Sequence, residues 1–143
     1  MEPENKGIDR KLFDYLYQSI ETTPYYNLLG IHLNSVSKGE VVMSAMPEAK
    51  HANPMGFIHG GLVMSLLDAV MGNAVRSLGI KSVTVDISIS FPKGGEFDKT
   101  LHAEGKVVHA GKQVIFAEGK VYSGKNIIGY GKGTFYKIGE IEL

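Results

Sequence analysis

Asn53, Gly56, His59, Gly60, Gly61 and Asp68 form the constellation in this chain whose residue types and spacing can support chemistry. Asp68 lies in an almost wholly apolar stretch, Gly60 to Val75. A carboxylate buried there without a partner is expensive or changes its protonation state, and such a cost is tolerated where the group does chemistry. Gly60 and Gly61 stand where that stretch enters a helix. The first N–H groups of a helix lack internal partners, lie at the positive end of its dipole, and are approachable when they belong to glycine. They suit a carbonyl oxygen that becomes an oxyanion, with Asn53 as an added side-chain amide donor. The alternative is that the two glycines only relieve crowding between loop and helix. Asp68 then reads as a base or nucleophile, or else as a helix carboxylate bonded to a neighbour such as Ser65. His59 stands at the helix entrance, where the dipole disfavours a proton on its ring. It reads as a group that positions Asn53 or the loop rather than as the general base.

Spacing constrains the use of these groups. Asp68 lies eight residues past Gly60, or ~12 Å along a helix. A base or nucleophile must come within ~3.5 Å of the reacting atom, so Asp68 cannot serve a carbonyl held at its own helix N-terminus. A second copy of the helix, roughly antiparallel across a two-fold axis, would join the N-terminus of one subunit to Asp68 of the other. A homodimer would then carry two equivalent sites.

The elements that must position these residues are legible in the pattern. Lys11 to Tyr17 spaces apolar residues at three and four, predicting a short amphipathic helix to about Ile20, stopped by Pro24. Tyr25 to Leu29 reads as a turn or short helix, and Ile31 to Met46 as one or two strands around Lys38-Gly39. Pro47 to Ile58 is a loop, and Gly60 to Leu78 the one long helix. Beyond Gly79 the period becomes two: Val83, Val85, Ile87, Ile89 and Phe91 alternate with Thr84, Asp86, Ser88 and Ser90. Strands follow over Thr100 to His109, Lys112 to Tyr122 and Ile127 to Ile138. Gly129, Gly131 and Gly133 share one face of the last strand, which predicts close approach by the long helix. These elements make an α+β architecture: a curved, mainly antiparallel sheet wrapped around one long central helix, its outer face free to pair with another subunit. Residues 1–143 read as a single domain, with 1–24 as an N-terminal helical extension.

Composition excludes several classes. Lys plus Arg and Asp plus Glu both number 15, so no global field attracts nucleic acid or an anionic membrane. With no cysteine, disulfides and thiolate chemistry fall away, which fits a cytoplasmic protein. The start of the chain lacks the pattern of a signal peptide, and the apolar stretch is shorter than a membrane span. The histidines show no metal-ligand spacing, and Gly94-Gly95 reads as a turn rather than a nucleotide loop. Tyr25, Tyr26, Met55, Phe57, Met64 and Met71 are either pocket lining or plain core.

The string Asn53-x-x-Gly56-x-x-His59-Gly60-Gly61 with Asp68 resembles the signature of hotdog-fold acyl-CoA thioesterases, in the branch of the phenylacetate-pathway (PaaI-like) and human superfamily member 2 enzymes. Leu29-Gly30-Ile31, Val83 to Ile87 with Phe91-Pro92, Gly105 to Gln113 and Gly129 to Phe135 extend the likeness. The resemblance implies hydrolysis of acyl-CoA thioesters, with a non-catalytic acyl-CoA-binding hotdog module as the alternative; in the hydrolytic reading Asp68 is the catalytic carboxylate and the Gly60 N–H polarises the carbonyl. Asn53 and His59 would orient substrate or water, and Thr84 matches a Ser or Thr that contacts the attacking water. It implies sites shared across a dimer, dimers paired into a homotetramer, and no cofactor, coenzyme A being part of the substrate. Gly61, Gly56 and Phe57 are expected to border the substrate. Two positions depart from simple expectation. Strict alternation turns Thr84 away from the helix, and Phe91-Pro92-Lys93 replaces the family's Arg-Pro, leaving Lys93 as a contact for a coenzyme A phosphate or as a solvated surface lysine.

Overall fold

The long helix organises everything else. In the computed structural model, which describes residues 2–143, it spans Gly60–Arg76 (α3). It buries Leu62, Val63, Leu66, Leu67, Val70, Met71, Ala74 and Val75 and leaves one open strip: Gly61, Met64, Ser65, Asp68, Gly72 and Arg76. Their spacing of three to four residues is one face of a helix. The helix stops two residues before the expected Leu78. Ser77 turns its hydroxyl back onto the Ala74 carbonyl, and Gly79 takes a φ of 78°, where glycine is free to go.

Around α3 curves a sheet built from β1 (Glu4–Asn5), β2 (Ile31–Ser37), β3 (Glu40–Ala45), β4 (Ile80–Ser90), β5 (Leu101–Ala110), β6 (Val114–Ser123) and β7 (Asn126–Glu140). Its order is β1-β2-β3-β5-β6-β7-β4. Every pairing is antiparallel except the short β1–β2 edge. This is the hotdog fold. Two small helices, α1 (Arg10–Glu21) and α2 (Pro24–Leu29), precede the sheet. Asp9 caps α1 by accepting from the Leu12 N–H, and Leu12, Phe13, Leu16 and Ile20 enter the core. Pro24 opens α2 at its first turn instead of ending α1, a position that suits its fixed φ and missing N–H.

Glycines let the sheet close on the helix. A Cβ on Gly129 would meet Val63, one on Gly131 would meet Leu67 and Met71, and one on Gly133 would meet Met71 and Phe135. The closest approach is elsewhere: a Cβ on Gly105 of β5 would overlap the Val70 carbonyl of α3.

One expectation fails in β4. The register runs Thr84 to Phe135 and then Asp86 to Thr134, so Val85 is an extra, unpaired residue. A β-bulge of this kind reverses which side chains face inward. Ile87 and Ile89 face the helix as their alternation predicts, but upstream of the bulge it is Thr84 that turns inward, opposite the buried Phe135. Val83 and Val85 are left exposed, Val85 by 62%.

Candidate functional site

The helix entrance is built by the loop before it. Asn53 Oδ1 accepts from the Met55 and Phe57 N–H groups at 2.9 and 3.0 Å. The Asn53 N–H donates to the Phe57 carbonyl, and Gly56 supplies the positive φ of 83° that the turn needs. Asn53 thus spends its carbonyl oxygen on the loop and keeps its amide N–H₂ for another acceptor. His59 is the N-cap of α3. Its Nδ1 accepts from the Gly61 N–H at 2.8 Å, which leaves Nε2 to carry the ring proton of the neutral imidazole. His59 holds the first turn of α3 rather than the Asn53 side chain. A Cβ on Gly61 would lie 3.0 Å from that ring nitrogen, so a larger residue there would push the His59 ring aside.

The Gly60 N–H finds no acceptor among the described residues. It is therefore an open donor at the positive end of a helix dipole. The Phe91 ring packs over Gly60, 3.3 Å from where a Cβ would sit. Gly60, Phe91, Lys93 and Ile58 line a cavity of about 300 Å³. Lys93 thus shares a cavity with Gly60, its Nζ donating to Asn126 Oδ1 at 3.5 Å. Phe57, 61% exposed, and Met55 project into solvent from the loop.

Asp68 lies elsewhere on the open strip of α3. It is exposed in the single chain, not buried as its apolar surroundings predict: those neighbours face the sheet while Asp68 faces out. Its partner is Thr84, whose hydroxyl donates to Oδ1 at 3.1 Å. The bulge at Val85 makes that bond possible. Ser65 is not Asp68's partner, because its hydroxyl pairs with the Tyr25 hydroxyl at 2.6 Å. Met71 is core, whereas Tyr25, Met55, Phe57 and Met64 are exposed.

Within one chain the predicted residues therefore form two groups. Asn53, Gly56, Phe57, His59, Gly60, Gly61 and Lys93 gather about the N-terminus of α3, while Asp68 and Thr84 stand two helical turns along it. The sequence reading missed a third feature, beside Asp68. Tyr26, Asn73, Arg76 and Ser19 border a cavity of about 230 Å³ that reaches Asp68 and Thr84. Asn73 and Arg76 are polar residues of an otherwise apolar helix, a signal available in the sequence, but Ser19 and Tyr26 are too distant in sequence to be joined to them.

The thioesterase superfamily model matches residues 55–129, the segment holding the helix entrance, Asp68 and Thr84. The chain belongs to the thioesterase superfamily and is a thioester hydrolase. Among solved structures it is similar to the E. coli PaaI protein of the phenylacetic acid degradation operon, with a TM-score of 0.87 and 25% identity over 94% of this chain and 99% of that one. That neighbour belongs to the branch the motif resembles. A Streptococcus mutans UA159 protein solved bound to acetyl CoA is 28% identical with a TM-score of 0.75, covering 78% of this chain and 91% of that one. Human acyl-coenzyme A thioesterase 13 is 28% identical over 88 residues, 60% of this chain and 63% of the human one.

Proposed function

We propose that this chain hydrolyses acyl-CoA thioesters to a free acid and coenzyme A, at sites shared by two subunits of a homodimer. The observation that carries the reading is the division along α3: an unclaimed Gly60 N–H at its start, and a Thr84-held carboxylate at Asp68 that opens outward. The names of the human thioesterase and of the acetyl CoA complex support the substrate class.

In this mechanism the thioester oxygen accepts from the Gly60 N–H of one subunit, with the Asn53 amide as a second donor. Asp68 of the other subunit lies across the carbonyl carbon. Thr84 fixes Oδ1 and leaves Oδ2 for the reacting water. As a base, Asp68 takes a proton from that water while its oxygen bonds to the carbonyl carbon. The C–S bond then breaks and the proton passes to the departing thiolate. As a nucleophile, Asp68 attacks directly, releases coenzyme A and forms an anhydride that water opens. Lys93, beside Gly60, is suited to a coenzyme A phosphate, and Gly56, Phe57 and Gly61 border the approach of the thioester.

The open strip of α3 suits an antiparallel copy of itself. β4 is a sheet edge with exposed Val83, Val85 and Phe91, the kind of edge that pairs with another chain. Exposed Val108, Phe116 and Tyr136 on the outer sheet face suit a pairing of dimers into a tetramer.

A panel of acyl-CoAs with detection of free thiol tests the reading. Turnover of at least one thioester is expected, and a chain that releases no thiol from any of them sinks it. Single turnover in oxygen-18 water puts label on Asp68 only through the anhydride route.

A further inference from the structure

The cavity beside Asp68 is polar at its far end. Seen from Asp68, it continues past Gly72 to Tyr26, Asn73, Arg76 and Ser19. Arg76 Nη1 donates to Asn73 Oδ1 and Nη2 to Ser19 Oγ, both at 2.9 Å, and the guanidinium lies 5.6 Å from the centre of the Tyr15 ring. These are neutral partners. Among the described residues Arg76 makes no ion pair. On its other side Arg76 also borders a second cavity, shared with Tyr15, Lys81, Glu140 and Glu142; neither carboxylate forms an ion pair with it, and Glu140 is paired with Lys137. The Tyr26 hydroxyl accepts from Asn73 Nδ2 at 3.2 Å, which leaves its own proton free to donate. Burial holds the phenol's pKa above its ordinary value, so that proton stays in place at neutral pH. Side chains on a helix lean toward its N-terminus, and the bond to Asn73 shows Arg76 reaching back one turn toward Asp68.

Resting on the thioesterase reading, the geometry points to an acyl group that ends in a second carboxylate: a short ω-carboxyacyl thioester. The thioester carbonyl lies at Asp68, the chain passes over Gly72, and the terminal carboxylate meets Arg76 and the Tyr26 hydroxyl. A methyl-terminated chain of the same length would strip water from a half-buried guanidinium and a phenol without replacing its hydrogen bonds. The carboxylate supplies the counter-ion that Arg76 lacks, in the bidentate form its fork favours. Arg76 and Tyr26 are thereby specificity-determining residues. Gly72 keeps the passage between them and Asp68 open.

The test compares succinyl-, glutaryl- and adipyl-CoA with butyryl-, valeryl- and hexanoyl-CoA on the wild-type protein. The best carboxyacyl thioester is expected to exceed its matched partner by roughly ten- to a hundredfold in kcat/KM, the range for a charged hydrogen-bonding pair. Arg76→Gln should move that ratio toward one, mainly through KM, and Arg76→Lys should restore part of it. A wild-type ratio at or below one overturns the inference, whether or not Arg76→Gln folds. So does an Arg76→Gln variant that slows both classes equally, which would make Arg76 structural. A protein that hydrolyses none of the six but turns over another thioester of the panel overturns the inference alone, and one that releases no thiol from any thioester refutes the thioesterase reading as well. The same ratio is then read as affinity by calorimetry with glutaryl- and valeryl-CoA, and equal affinities overturn the inference independently.

Discussion

Asp68 and Thr84 form a pair joined by one hydrogen bond. In the proposed mechanism Asp68→Asn should lower kcat by about 10²–10⁴-fold, the usual contribution of a positioned proton acceptor. It should leave the far-ultraviolet circular dichroism and melting temperature near wild type, because the side chain is exposed. Undiminished turnover would remove Asp68 from the mechanism. Thr84→Val keeps the shape of the side chain but deletes the donor to Oδ1 at 3.1 Å. A fall in kcat of about tenfold is expected, near the low end for a bond to a charged group, and Thr84→Ser should recover most of it. Equal rates for the valine and serine variants would show that the hydroxyl does not orient the carboxylate.

At the scale of elements, the helix N-terminus and the packing of α3 on the sheet make separate predictions. Gly60 is the first residue of α3, and His59 before it has φ −64° and ψ 134°. That backbone accepts a following proline, and proline is at home in the first helical position. Gly60→Pro should therefore fold while losing the open N–H, with turnover down by about 10²–10³-fold, as for removal of one oxyanion donor. A folded Gly60→Pro variant with wild-type kcat would exclude that N–H as the donor. Glycines facing α3 separate by sign. Gly105→Ala drives a Cβ into the Val70 carbonyl and should cost about 3 kcal/mol or more, read as a drop in Tm. In Gly72→Ala the new Cβ meets only the Phe135 ring, at 3.8 Å. That variant should gain about 0.5–1 kcal/mol from helix propensity. A Gly105→Ala melt at the wild-type temperature would mean that the sheet and helix are not held as closely as the fold requires.

At the scale of the whole molecule, the proposed mechanism makes assembly part of catalysis, because Gly60 and Asp68 lie two helical turns apart. Asp68→Asn and Gly60→Pro subunits, each nearly inactive alone, are co-expressed. In a mixed dimer one site joins an intact Gly60 to an intact Asp68, and the other site has neither. With random pairing about half the dimers are mixed, so activity should return to roughly a quarter of wild type. Activity no higher than that of either parent would place both groups of each site on one chain, against the helix geometry.

The sequence by itself determined the long helix, the glycines at its entrance and the eight-residue separation of Gly60 from Asp68 along it. Those conclusions rest on local rules: glycine at a helix start, a fixed rise per residue, and apolar residues at helical or strand spacing. Residues 53 to 68 were legible because they are close in sequence. Only the tertiary structure decided what Thr84 touches. The Val85 bulge arises from pairing with β7, and without it strict alternation would turn Thr84 outward. Exposure of Asp68 was likewise decided by where the sheet stops covering α3. The cluster of Ser19, Tyr26, Asn73 and Arg76 forms only when α1 and α2 fold across the far end of α3, contacts between segments that no local pattern connects.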